Sequence, residues 1–398
     1  MLATVDTAVV VCPPGRAQDR PLLGLRVGER LLLALAHSGI RRVAFVGAGP
    51  RPSSERAHLE TIDVATLSGE KPLVLVAADA VFDRTRVGVD ASTAGSPLQL
   101  IRAAEAEAVA RDPQRWLDSI GQGRVDGPGF ALRVVDGKSA TTARRALLRS
   151  LRKPIDGFVS RHLNRPVSLA ISGRLASSPV TPNQITAIVA LVGLSGAVLA
   201  ALARPWWMLV LAAALFQAQS ILDGCDGEIA RLTYRSSRLG AWLDSICDDV
   251  TNYAFCFGLA AGQARTLDQP ALWYAGGITL ALQVCMSGVL YHRMVRLGTG
   301  GDLLALPYVS GPADGGRGLR ARLMRVVRQV ARRDSFIFAV ALVTALQLPL
   351  LAFWIFAAGS WAVVATVIVS DWRLARARAA PERPALLPAG RRSKGGEV

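Results

Sequence analysis

Between positions 223 and 248 the chain carries four aspartates at fixed spacings, with apolar runs on either side. A carboxylate inside such a run costs at least ~2.5 kcal/mol at a bilayer centre on insertion scales. Four of them demand a compensating cation or a water-filled cavity. The stretch reads Asp223-Gly224-Cys225-Asp226-Gly227-Glu228-Ile229-Ala230-Arg231, then eight residues, then Gly240-Ala241-Trp242-Leu243-Asp244-Ser245-Ile246-Cys247-Asp248. Asp223 and Asp226 are three apart and Asp244 and Asp248 four apart, so each pair shares one helix face. In a hairpin of two helices the four carboxylates converge. Hard oxygen donors select Mg²⁺, Mn²⁺ or Ca²⁺. With four scattered histidines and no ligand-spaced thiols, zinc is a poor match. Two divalent ions beside Arg231 make a site for a diphosphate. Gly227 lets a ligand approach the backbone, and Gly240 lets two helices approach each other. Asp249 falls one residue past the helical phase and is expected to point elsewhere.

Hydropathy sets this stretch in a membrane. Apolar segments of spanning length cover 184–203, 205–222, 239–262 and 271–291. A 35-residue run, 336–370, is too long for one span, and Pro349 near its middle divides it in two. Six spans are expected. Arginine crowds the alternate connections, with nine between Arg293 and Arg333. The charge asymmetry puts both termini and the aspartates on the cytoplasmic side of the cell (inner) membrane. The net charge of +16 suits a protein facing an anionic leaflet. No nucleic-acid motif accompanies it. The five cysteines form no CxxC pair and read as small core residues, and the N-terminus lacks a signal-peptide pattern.

Residues 1–150 are different. Short strand candidates at 7–12, 42–46, 72–77 and 130–135 alternate with helical patterns at 27–38, 97–111 and 139–151. This predicts an α/β layer with a largely parallel sheet. Residues 151–182 form a juxtamembrane junction. Apolar positions 158, 159, 163 and 167 alternate there with Arg161 and Arg165, as in a helix lying on a membrane surface. Residues 373–398, rich in Pro, Ala, Arg and Gly, read as a disordered basic tail. The fold class expected is multi-domain: an α/β domain, then an all-α six-helix transmembrane domain over 183–372.

The N-terminal half resembles a sugar-nucleotidyltransferase. Val9-Val10-Val11-Cys12-Pro13-Pro14-Gly15-Arg16 stands where that family has its phosphate loop, but the second glycine and the lysine are missing. Asp79 stands where the family places a metal-binding aspartate. The domain is read as degenerate and non-catalytic, with Asp79 a strand-end turn residue.

The order Asp-x-x-Asp-Gly-x-x-Ala-Arg, eight residues, Gly-x-x-x-Asp-x-x-x-Asp resembles the signature of the CDP-alcohol phosphotransferase family at every position. The resemblance implies transfer of a substituted phosphoryl group from a CDP-alcohol to a hydroxyl acceptor, with release of CMP. It implies two divalent ions, Mg²⁺ or Mn²⁺, bridged by Asp223 and Asp244. Asp226 would serve the first ion, and Asp248 the second ion and the proton transfer. Gly227, Ala230, Arg231, Ser237 and Gly240 match positions on the CDP side. Pro182, Asn183 and Thr186 look like a further cytidine-side contact. A homodimer is also implied. The junction, behind a cytidylyltransferase-like domain, looks like the bifunctional inositol-phosphate cytidylyltransferase and di-inositol-phosphate phosphate synthase group. That suggests CDP-inositol as donor and a phosphorylated polyol such as inositol phosphate as acceptor, held by Arg161, Arg165 and Arg293. CDP-diacylglycerol remains an alternative donor. Two further readings stand beside these: an N-terminal half that makes the CDP-alcohol from CTP, and a cation transporter using the aspartates as its path.

Overall fold

The structure is a computed structural model that describes residues 5–67, 72–83, 96–124, 130–153, 156–202, 205–297 and 333–379. Its strands are β1 (Thr7–Val11), β2 (Pro21–Leu22), β3 (Leu25–Arg26), β4 (Arg42–Val46), β5 (Glu60–Ile62), β6 (Leu73–Ala77), β7 (Ala80–Phe82), β8 (Leu98–Ile101), β9 (Gly123–Arg124) and β10 (Ala131–Arg133). Four helices accompany them: α1 (Val27–His37), α2 (Ala103–Arg111), α3 (Pro113–Ser119) and α4 (Gly137–Ser150). The main sheet has the order β5-β4-β1-β6-β8. β1 lies between parallel partners, with Val9 opposite both Ala44 and Leu75. All five residues of β1 and of β6 are buried, as strands covered on both faces must be.

The helix expected over 97–111 is two elements. Leu98–Ile101 pairs antiparallel with β6, and only Ala103–Arg111 is helical. A short apolar run such as Leu98-Gln99-Leu100-Ile101 suits either element. The open edge of β6, whose N–H and C=O groups need partners, decides for strand.

Asp79, just after β6, is 1% exposed and faces Arg133 of β10. The guanidinium is bidentate, with Nε donating to Oδ1 at 3.0 Å and Nη2 to Oδ2 at 2.9 Å. The loop after β4 presses on the loop after β1: a Cβ on Gly49 would lie 1.8 Å from the Pro13 carbonyl oxygen.

The second half is helical: α5 (Arg165–Leu175), α6 (Pro182–Leu202), α7 (Trp206–Leu232), α8 (Arg238–Thr266), α9 (Pro270–Leu297), α10 (Arg333–Ala345) and α11 (Pro349–Ala379). A π-type turn, Ser160–Asn164, leads into α5. Among the described residues, α6, α7, α9 and 349–369 of α11 are long and apolar enough to cross a membrane. The break expected near Pro349 is present, since α10 ends at Ala345 and Pro349 opens α11. The helix continues through 373–379, where tail was expected, and 380–398 lies outside the described residues. All five cysteines are free thiols.

Helix packing rests on small residues. A Cβ on Gly258 would lie 2.5 Å from the Ala197 carbonyl oxygen, and one on Gly262 would lie 2.3 Å from that of Ala200. α6 and α8 therefore touch backbone to backbone along a Gly-x-x-x-Gly face. Phe216 of α7 and Phe255 of α8 stack at 3.9 Å, nearly parallel, in the middle of the bundle.

Candidate active site

α7 and α8 carry the aspartates, and α6 supplies the third wall. α6 opens on Thr181 and Gln184, whose side chains each accept from the other's backbone N–H, and Pro182 takes a position that needs no donor. Ser237 caps α8 by accepting from the Gly240 N–H at 3.0 Å. α6 packs against both α7 and α8, which are joined by a turn at 233–237.

The structure brings Asp223, Asp244 and Asp248 together, with one carboxylate oxygen from each inside a span of 4.8 Å. Asp226 stands beside the trio, facing Asp244. Its carboxylate accepts from the Thr186 hydroxyl of α6 and from the Gly227 N–H. Three anionic oxygens at this separation, all hard donors on rigid helices, fit a divalent ion such as Mg²⁺ or Mn²⁺. Asp249 points the other way, as its phase requires. It accepts from Ser287 and Tyr291 of α9, each at 2.6 Å.

Beside the trio is a cleft of about 190 Å³. Asn183 and Thr186 line it from α6, Gly227, Ala230 and Arg231 from α7, and Ser237 and Gly240 from the start of α8. A Cβ on Gly240 would lie 3.2 Å from the Asn183 side-chain oxygen, and one on Gly227 would lie 3.2 Å from the Arg231 guanidinium. Any side chain at either glycine would thus narrow the cleft.

Two of the arginines expected on the acceptor side, Arg161 and Arg165, meet at Asp156. Arg165 holds Asp156 through Nε at 3.1 Å and Glu228 through Nη1 at 2.7 Å. Arg161 donates to the Asp156 carbonyl at 3.4 Å. Arg293 lies near the end of α9, half-buried. Among the described residues, Arg333, at the start of α10, reaches the trio and pairs with Oδ2 of Asp248. Gln219, one helical turn before Asp223, donates to the other oxygen of Asp248 at 3.2 Å. Glu228, fully buried, accepts from Arg165, from Ser168 at 2.8 Å and from Ser172 at 2.7 Å. Gln219 and Glu228 had a signal in the sequence, as polar residues in an apolar helix. Arg333 was one of nine arginines in its segment, with nothing to single it out.

The comparisons agree with this geometry. Residues 179–308 match the family model described as CDP-alcohol phosphatidyltransferase. The chain is similar to the "Bifunctional IPC transferase and DIPP synthase" of Thermococcus kodakarensis, 39% identical over 160 residues, 40% of this chain and 33% of that protein. It is 41% identical over 119 residues to the protein of the same name from Aquifex aeolicus, 30% of this chain and 26% of that one. To the "Archaetidylinositol phosphate synthase" of Pyrococcus horikoshii it is 31% identical over 128 residues, 32% of this chain and 66% of that one. The chain thus spans a third or less of the length of the bifunctional relatives it matches. With the motif, the carboxylate trio and the cleft in one place, residues 179–308 are a CDP-alcohol phosphatidyltransferase domain.

Proposed function

We propose that the protein is an integral-membrane transferase moving a substituted phosphoryl group from a CDP-alcohol to a hydroxyl acceptor, with release of CMP. The observation that carries this reading is the meeting of Asp223, Asp244 and Asp248 beside a cleft lined by Asn183, Arg231 and Ser237. The trio, with Asp226, would hold two divalent ions that neutralise the diphosphate. Arg231 sits where it complements the same charge. Gly227 and Gly240 leave room for the nucleotide against the helices. Asp248 is the base: its carboxylate is oriented by Gln219 and Arg333, and it would take the acceptor hydroxyl proton as the bond to phosphorus forms.

The relatives' names favour an inositol-phosphate acceptor, and CDP-inositol or a CDP-linked lipid as donor. Arg293, near the end of α9, and Arg333, beside Asp248, are the described arginines proposed to meet the acceptor phosphate. The six helices α6–α11 are read as six spans, with the N-terminal domain, the site and both termini cytoplasmic. Phe158, Leu163 and Val167 before and within α5 are exposed, which suits a segment resting on the membrane surface. The N-terminal domain is read as non-catalytic, because Asp79 is committed to Arg133.

The test is CMP release by the purified protein from CDP-inositol and CDP-diacylglycerol, each with inositol, inositol phosphate and glycerol phosphate. Release that needs Mg²⁺ or Mn²⁺ and one acceptor supports the reading. Absence of release from every pair, with divalent cations carried across vesicles instead, favours a transporter.

A further inference from the structure

We infer that the N-terminal domain holds the α7–α8 turn in its nucleotide-binding shape, with Arg30 and Arg56 as positioning residues. This rests on reading the cleft beside the aspartates as the CDP site.

The turn is a helix ending of a demanding kind. The Arg235 N–H donates back to the Ala230 carbonyl at 2.8 Å, and Tyr234 between them has φ +53°. This ending usually places glycine at the left-handed position. A side chain there crowds the backbone, and something outside α7 stabilises tyrosine in that conformation. That something is the N-terminal domain. The Tyr234 ring packs against Leu25, Leu32, Leu33 and Ala57 and lies 5.0 Å from the His37 ring.

The carbonyls of the turn are held from the same side. Arg30, 2% exposed on α1, donates from Nη1 to the Leu232 carbonyl at 2.7 Å. Its Nη2 holds the Leu22 and Leu23 carbonyls of its own domain. Burial lowers the Arg30 guanidinium to about 10, so it remains a cation at neutral pH. It stands at the carbonyl end of α7, where the helix dipole favours positive charge. Arg56 donates to the Thr233 carbonyl at 2.9 Å and to the Tyr234 carbonyl at 2.7 Å. Together the two arginines take three consecutive carbonyls. The domains also touch directly: a Cβ on Gly24, itself at φ +81°, would lie 1.9 Å from the Ala176 carbonyl oxygen. Leu22, Leu23 and Val27 share one apolar cluster with Leu169, Ala176 and Leu232.

The next residues, Arg235, Ser236 and Ser237, line the cleft. A domain without a working phosphate loop of its own therefore sets one wall of the site in the other domain. Release of the turn would shift Ser237 and the start of α8. Asp223 lies a further two helical turns back along α7.

The experiment uses the full chain in detergent, with CDP binding measured calorimetrically in Mg²⁺. Arg56 is exposed, so its replacement leaves the core intact. Arg56→Ala is expected to raise the Kd for CDP roughly tenfold, the loss of hydrogen bonds from a charged donor to two carbonyls. Arg56→Lys restores part of the affinity. In turnover the change falls on KM for the donor, with kcat close to wild type and Mn²⁺ affinity unchanged. Gly24→Ala, which wedges the two domains apart, raises the same Kd. An unchanged Kd in both variants overturns the inference while leaving the nucleotide site standing. Failure of the wild type itself to bind CDP removes the nucleotide reading, and this inference with it.

Discussion

The Arg165 guanidinium donates to the Glu228 carboxylate at 2.7 Å, tying the juxtamembrane helix to the helix that carries the first two aspartates. Glu228 is fully buried and Arg165 is 12% exposed. Removing one partner of such a pair strands the other charge. Arg165→Ala is expected to cost about 3–5 kcal/mol of stability, read as a fall in the thermal midpoint of the purified protein. Replacing both with methionine should cost less than the sum of the single changes, because neither charge is then left alone.

Asp248→Asn keeps the size of the side chain and removes the proposed base. The variant is expected to bind CDP-alcohol with near wild-type affinity and to lose roughly 10²–10⁴-fold in CMP release. Undiminished turnover in the purified variant would assign the proton transfer to another group.

Divalent ions should also stabilise the fold. Asp223, Asp244 and Asp248 crowd three carboxylates into one place, and Arg333 meets only one of them. Chelation is expected to lower the thermal midpoint and abolish CMP release, and Mn²⁺ to restore both. Arg333→Gln should widen the gap between the chelated and Mn²⁺-loaded midpoints, since Asp248 then loses its ion pair with Arg333.

The N-terminal domain should not make a CDP-alcohol. Arg133 occupies both oxygens of Asp79, so a metal ion would have to displace a bidentate guanidinium. No diphosphate is expected from CTP and inositol phosphate with the full chain. Diphosphate release that survives Asp248→Asn would restore a second activity.

Cys12 should resist thiol reagents. It is 1% exposed at the end of β1, and burial pushes its thiol from about 9 up to about 11. At pH 8 roughly one molecule in a thousand carries the thiolate. Labelling by iodoacetamide in the folded state is expected to be negligible at this position, and to appear on denaturation, as mass spectrometry of the N-terminal peptide would show.

The aspartate spacing made most of the site legible, because a helix has one period and the acids obey it. Asp249 confirms the point in reverse: one residue out of phase, it turns to Ser287 and Tyr291. The strands at 7–12, 42–46 and 72–77 were legible for a similar reason, being short apolar runs bounded by turn residues. Leu98–Ile101 was not, since the partner edge that makes it a strand lies more than twenty residues upstream. The partners of the arginines were also hidden. Arginines that look alike in sequence divide by distant partners: Arg165 goes to Glu228, and Arg333 goes to Asp248. Nothing local distinguishes them.

Gly258 and Gly262 bring α8 onto the main chain of α6. With no side chain between them, the two helices have no adjustable spacer, so the bundle carries a fixed gauge. Asn183 and Thr186 at one end of that gauge, and Asp244 and Asp248 near the other helix's start, keep their separation whatever surrounds them. α9 meets α8 through side chains instead: a Cβ on Gly276 would lie 2.7 Å from the Ala260 Cβ. Side-chain exchange on α9 can therefore be absorbed by side chains, while the register between α6 and α8 is set by main chain alone.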